Sequence, residues 1–104
     1  MYIFIGMEHA SILYFDAMAT NNDTEAYDKC IMAKDAYLAL YPCAKVCSAL
    51  GTIFKRLGNL EYVAEEHEEA MKYYQQSAEY YEKSELKRDH DRVADTFRIC
   101  KTIQ

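Results

Sequence analysis

The densest run of metal-capable side chains in the chain is Glu65-Glu66-His67-Glu68-Glu69. On a helix Glu65 and Glu69 share a face, and paired carboxylates can hold a hard cation. No Glu-x-x-His pair occurs anywhere, so the di-iron signature of helical bundles is missing and the run reads as a solvated acidic face. Glu68 with Lys72 and Glu79 with Lys83 are i,i+4 pairs worth about 0.2–0.5 kcal/mol each. Cys43 and Cys47 also share a helical face, but they meet His67 or His90 only if the fold brings them together. A nucleophilic cysteine needs a histidine base and an oxyanion site, and neither is indicated. Cys30, Cys43, Cys47 and Cys100 lack Cys-x-x-Cys spacing and read as reduced, partly buried thiols of a cytosolic protein. No catalytic residue, metal or cofactor is assigned, and the chain is read as a non-enzyme.

Two further sets of residues could bind a partner. The basic group Lys87, Arg88, Arg92, Arg98 and Lys101 reads either as a docking surface or as solubilising charge. In the pairs Tyr73-Tyr74 and Tyr80-Tyr81, helical spacing sends Tyr74 and Tyr81 to the core. Tyr73 and Tyr80 are then candidate contacts on an exposed face.

The elements that must position these residues are helices. In 104 residues there are three glycines and one proline, while Ala, Leu, Glu, Lys, Met and Gln are plentiful. One domain spanning residues 1–104 is expected, all-α, with about five helices in antiparallel hairpins. Ten tyrosines and no tryptophan suit interhelical contacts with a buried ring and a wet hydroxyl. The net charge of −5 argues against nucleic-acid binding, which draws affinity from neutralised phosphates. The charge is also uneven: residues 61–85 hold eight acids against two bases, and residues 86–104 hold three acids against five bases. MYIFIGM is apolar but lacks the positive n-region of a signal peptide, and no run approaches the roughly 20 apolar residues of a membrane span.

Along the chain, residues 1–6 form an apolar leader that packs or frays, with Gly6 at its end. A helix from about Glu8 to Thr20 buries Ile12, Leu13, Phe15, Ala17 and Met18, and Asn21-Asn22 ends it. Asp23 or Thr24 caps a second helix to about Tyr41, with Ala26, Tyr27, Cys30, Ala33, Tyr37 and Leu40 on its apolar face. Pro42 opens a third helix that buries Val46, Leu50, Ile53, Phe54 and Leu57. Gly51 allows a close crossing there, and Gly58-Asn59 is the stop signal. Nothing breaks the helix from Leu60 to Ser84, yet its length calls for a bend near Ala64–His67. Within it Ala70, Tyr74, Ala78 and Tyr81 form an alternating small and aromatic face, opposite Lys72, Gln75, Gln76 and Glu79. After a joint near Ser84–Leu86, a last helix from Asp89 or His90 to about Ile103 buries Val93, Ala94, Phe97 and Cys100.

In ALGTIFKRLGN, the spacing of Leu50, Gly51, Phe54 and Gly58 resembles the first helix of a tetratricopeptide repeat, and Ala70, Tyr74 and Ala78 resemble the second. From Gly51 to Ala70 is 19 residues where the common repeat has about 12, an excess close to two turns that would lengthen a helix while keeping its face. EAYDKCIMAKDAYLAL, CAKVCSALGTIF and EEAMKYYQQSAEYYEKS, followed by a helix with Arg92 and Cys100, resemble consecutive hairpins of the soluble NSF attachment proteins. The match covers the central part of that longer family.

The resemblance implies a tetratricopeptide-like α-solenoid and a cytoplasmic adaptor in vesicle transport and membrane fusion. Such adaptors grip a SNARE helical bundle and link it to the disassembly ATPase, N-ethylmaleimide-sensitive factor. Lys45 and Arg92 match SNARE-facing basic positions, acting by charge complementarity. Arg88, Arg98, Tyr73 and Tyr80 are additional candidate contacts. The family's membrane-touching loop has no clear equivalent other than MYIFIGM, so peripheral membrane association is an open expectation. The family's ATPase-stimulating C-terminal region has no counterpart after Ile103-Gln104. The alternative is a generic tetratricopeptide-like scaffold for an unrelated peptide, or a self-associating helical module that forms homo-oligomers.

Overall fold

The computed structural model describes residues 2–40, 44–84 and 87–103, with side chains described for all of these except 2–6, 44, 45, 87, 88, 90, 97, 100, 102 and 103. Among the described residues there are five helices and no strand: α1 (Tyr2–Ala19), α2 (Asp23–Leu38), α3 (Ala44–Val63), α4 (His67–Lys83) and α5 (Lys87–Ile103). Each packs chiefly on its neighbour in the chain, α3 on α4 most extensively, in a slab of 45 × 30 × 18 Å. The break expected at Pro42 lies outside the described residues.

α1 starts at Tyr2, so the apolar leader and Gly6 belong to the helix rather than preceding it. One interior glycine costs a helix only about 1 kcal/mol, so Gly6 need not end it. Ala10 and Ala17 are buried in the core shared with α2 and α3, with Leu13, Tyr14 and Met18 half-buried around them. Ile12 and Phe15, expected inside, are 65% and 68% exposed. The large apolar residues of α1 lie on both walls and do not by themselves select the buried face, which Glu8, His9 and Asp16 mark only by being on the other one. Small residues select it, because Ala10 and Ala17 let the neighbouring backbone approach.

The cap of α2 is Asn22, not Asp23 or Thr24: its Oδ1 accepts the Glu25 N–H at 3.0 Å. Asp23 and Glu25 occupy the first turn, where the helix dipole favours acids. α2 stops at Leu38, short of Tyr41, and buries Ala26, Cys30, Ala33 and Tyr37.

α3 runs through Gly58-Asn59 to Val63. Gly58 is not a stop signal because it serves packing instead: a Cβ there would lie 2.7 Å from Tyr74 Cε1, and one on Gly51 would lie 2.5 Å from Tyr81 Cδ1. The two glycines, seven residues apart, are notches that receive the two tyrosines of α4 in reverse order, so the helices run in opposite directions. Polar bonds pin the seam. Ser77 Oγ donates to the Gly51 carbonyl at 2.6 Å, Tyr81 and Thr52 hydroxyls meet at 2.8 Å, and the Tyr74 hydroxyl donates to Asn59 Oδ1.

The bend expected near Ala64–His67 is present, and its chemistry explains why no glycine marks it. Glu66 N–H donates to Glu61 O at 2.9 Å and Glu65 N–H to Tyr62 O at 3.0 Å, with Glu65 at φ 64°. This is a Schellman ending with glutamate in the left-handed position that glycine usually takes. α4 then buries Ala70, Tyr74, Ser77, Ala78 and Tyr81 and exposes Lys72, Gln75, Gln76 and Glu79. In α5, Val93 is half-buried, but Ala94, expected inside, is exposed. Asp89 and Thr96 are the buried residues of this helix whose side chains are described.

Candidate functional site

The joint between α4 and α5 is built on a buried carboxylate. Asp89 stands in the first turn of α5, where the dipole favours it, and is fully buried. Ser84 Oγ, at the end of α4, donates to Asp89 Oδ2 at 2.7 Å, and Arg92 Nη1 donates to Oδ1 at 3.2 Å. The Arg92 side chain is 42% exposed, and its guanidinium carbon sits 5.6 Å from the centroid of the Tyr81 ring. Arg92 is therefore the half-exposed link in a chain of contacts that runs from Asp89 through Arg92 and Tyr81 to Thr52 on α3. Burial raises the Tyr81 hydroxyl above its ordinary pKa, against the opposing hydrogen bond from Thr52 and the charge of Arg92.

On α3, positions 45, 52 and 59 recur every seven residues and share one face with 48, 55 and 56. Lys45 belongs to this face by register, and its side chain is outside the described set. Lower on the face, Thr52, Lys55, Arg56 and Asn59 line a pocket of about 200 Å³ with Met18 of α1. Arg56 Nη2 donates to the Thr20 carbonyl at 2.8 Å, closing the C-terminal end of α1. Burial raises the Cys30 thiol, although the charge and hydrogen bonding of Arg56 oppose the shift.

Tyr73 and Tyr80 are half-buried rather than on an exposed face. Both stack on Phe54, with centroids at 6.1 Å and 5.4 Å, and the Tyr73 and Tyr27 hydroxyls meet at 3.2 Å. Burial, then the Tyr27 bond, pushes the Tyr73 hydroxyl up. Lys83 Nζ lies 5.3 Å above the Tyr80 ring. Arg98 is exposed and pairs with Asp95 at 3.1 Å. The Arg88 side chain lies outside the described residues.

Glu65, Glu66, His67, Glu68 and Glu69 are all exposed, and His67 stacks on Tyr62. Lys72 pairs with Glu69 at 3.2 Å rather than with Glu68. Among the described residues no group of three metal-capable side chains converges, and Cys30 and Cys47 are buried. An open acidic groove of about 270 Å³ lies between the start of α2 and the end of α3, lined by Asp23, Asp28 and Glu61 among others.

Sequence reasoning missed Asp89, Ser84, Thr52 and Asn59 as supporting residues. One signal was available, since Asp89 and Arg92 are an i,i+3 pair at a helix start. The links of Thr52 and Asn59 to α4 tyrosines cross between helices and leave no local trace. Comparison of the chain with family models, curated proteins and solved structures finds no match.

Proposed function

We propose that this protein is a non-enzymatic adaptor of the soluble NSF attachment protein type, docking its basic side against a SNARE helical bundle and linking that bundle to the disassembly ATPase. In this reading the helices are antiparallel hairpins of a tetratricopeptide-like solenoid, and the protein works in the cytoplasm, peripherally at membranes during vesicle fusion. The packing of each helix on its chain neighbour and the glycine–tyrosine seam of α3 and α4 support the architecture. The observation that carries the functional reading is the contact chain from Arg92 through Tyr81 to Thr52. Thr52 is on the α3 face that includes position 45 by register, and the reading takes that face together with Arg92 as the docking side. No helix among the described residues is long and apolar enough to cross a membrane, so the reading needs only peripheral attachment.

The test is capture of an assembled SNARE bundle at low and physiological salt by wild type and by Lys45→Glu combined with Arg92→Gln. Glutamine is chosen because a glutamate at 92 would face the buried Asp89 carboxylate and unseat α5. Binding by wild type that weakens with salt and disappears in the double variant supports the adaptor. Equal behaviour of both proteins, or no capture, refutes it.

A second reading has its own observation. The exposure of Ile12 and Phe15 on α1 favours a self-associating helical module. Apolar self-association should survive added salt, whereas docking through charge should not.

A further inference from the structure

We propose that the pocket between α1 and α3 is a carboxylate-binding subsite that takes an Asp or Glu side chain from an acidic helical partner. The proposal deepens the adaptor reading and rests on it for the identity of that partner, not for the chemistry of the site.

The pocket is cationic on a chain whose net charge is −5, and no carboxylate is among its lining residues. Lys55 is half-buried and makes no hydrogen bond or ion pair with any described residue. Its ammonium is a charged donor on a half-buried side chain. Asn59 has its Oδ1 occupied by the Tyr74 hydroxyl, which fixes the amide and leaves its two N–H groups as donors. Arg56 holds its guanidinium at the pocket wall by the bond to the Thr20 carbonyl, and its buried Nε has no partner among the described residues. Two cations and a fixed amide thus line one space of about 200 Å³, with Met18 as an apolar wall for the methylene groups of an incoming acidic side chain. A carboxylate fits better than a dianion such as phosphate, because the C-terminal end of α1 adds partial negative charge beside Arg56.

The subsite shares Thr52 with the contact chain that leads to Arg92. Thr52, at its rim, is bonded to Tyr81, the ring on which Arg92 rests. A helix laid along α3 would meet position 45, then Thr52 two turns on, then Lys55 and Asn59 at the next two turns.

The experiment has two arms, each with wild type, Lys55→Gln and Asn59→Asp, folding being checked by helical circular dichroism. Lys55 holds nothing in place, and Asn59→Asp keeps an acceptor for Tyr74 while adding a repelling carboxylate. In the first arm a capped, glutamate-rich helical peptide is titrated at low salt and followed by amide NMR. Saturable shifts at Thr20, Thr52, Lys55, Arg56 and Asn59 are expected, with affinity roughly fivefold weaker in Lys55→Gln and weaker still in Asn59→Asp. Absence of localised shifts, or equal affinity in all three proteins, overturns the subsite. In the second arm the same proteins capture an assembled SNARE bundle. Capture that is unchanged in Lys55→Gln and Asn59→Asp but lost on changing Lys45 and Arg92 overturns the subsite and leaves the adaptor standing. Peptide binding that follows the expected order without bundle capture upholds the subsite and refutes the adaptor.

Discussion

α3 meets α4 through two glycine notches filled by two tyrosine rings, with Ser77, Thr52 and Asn59 bonding across the seam. α1 meets its neighbours through alanines at one wall and leaves Ile12 and Phe15 in solvent on the other. The first contact is specified by shape and hydrogen bonds together, so a change of one methyl group is felt there. The second uses one wall of a helix whose other wall mixes Ile12 and Phe15 with the exposed Glu8, His9 and Asp16, so that wall tolerates substitution. Local hydrophobicity is therefore a poor guide to where this chain is stabilised: the most apolar helix still leaves Ile12 and Phe15 exposed.

The contrast breaks most sharply at Gly51. Gly51→Ala forces a Cβ to within 2.5 Å of a buried, bonded ring, and we expect a loss of about 2 kcal/mol in chemical denaturation despite the better helix propensity of alanine. If Gly51→Ala is neutral or stabilising, the notch does not specify the seam.

Tyr81→Phe leaves the ring and removes the hydroxyl bonded to Thr52, so a loss of about 1 kcal/mol at neutral pH is expected. The same variant has a pH signature. With its folded pKa raised, wild-type Tyr81 contributes stability that is complete below the unfolded value of 10.0 and is lost as pH rises through the folded value. Denaturation midpoints measured from pH 8 upward should therefore fall less steeply in Tyr81→Phe than in wild type.

Glu65→Gly tests the other end of the same seam. Glycine relieves the left-handed residue that ends α3, and we expect a gain of about 1 kcal/mol, read as a higher midpoint with an unchanged denaturant slope. The smallest effect is expected on α1. Phe15→Ser should alter monomer stability by less than about 0.5 kcal/mol in dilute solution, and a larger loss would mean that its exposed wall is covered.

Much of the α3–α4 seam was legible because it is written in short-range periodicity. Ala70, Tyr74, Ala78 and Tyr81 declare a small and aromatic face, and Gly51 declares a close approach. Gly58 was misread, since a glycine followed by asparagine signals a helix end locally and only the Tyr74 ring reveals its use. The candidate site was legible in its charges and not in their partners. Arg92 stands out as a basic residue near the C-terminal end of the chain, but its bond to a buried Asp89 and its place on Tyr81 depend on how α5 folds back on α4. Tyr73 and Tyr80 were placed outside by helical spacing alone. They turn inward because Phe54, on another helix, offers its ring to both.

By itself the sequence determined that the secondary structure of this chain is helical and which face of α4 is buried. Both follow from propensity and from a 3.6-residue period that any isolated segment displays. Only the tertiary structure decided that Ile12 and Phe15 of α1 stay exposed, that α3 continues past Gly58 to end at a left-handed Glu65, and that Arg92 rests on the Tyr81 ring whose hydroxyl bonds Thr52. Those outcomes depend on contacts between residues far apart in the chain, where the neighbour supplies the shape or charge that the local pattern lacks.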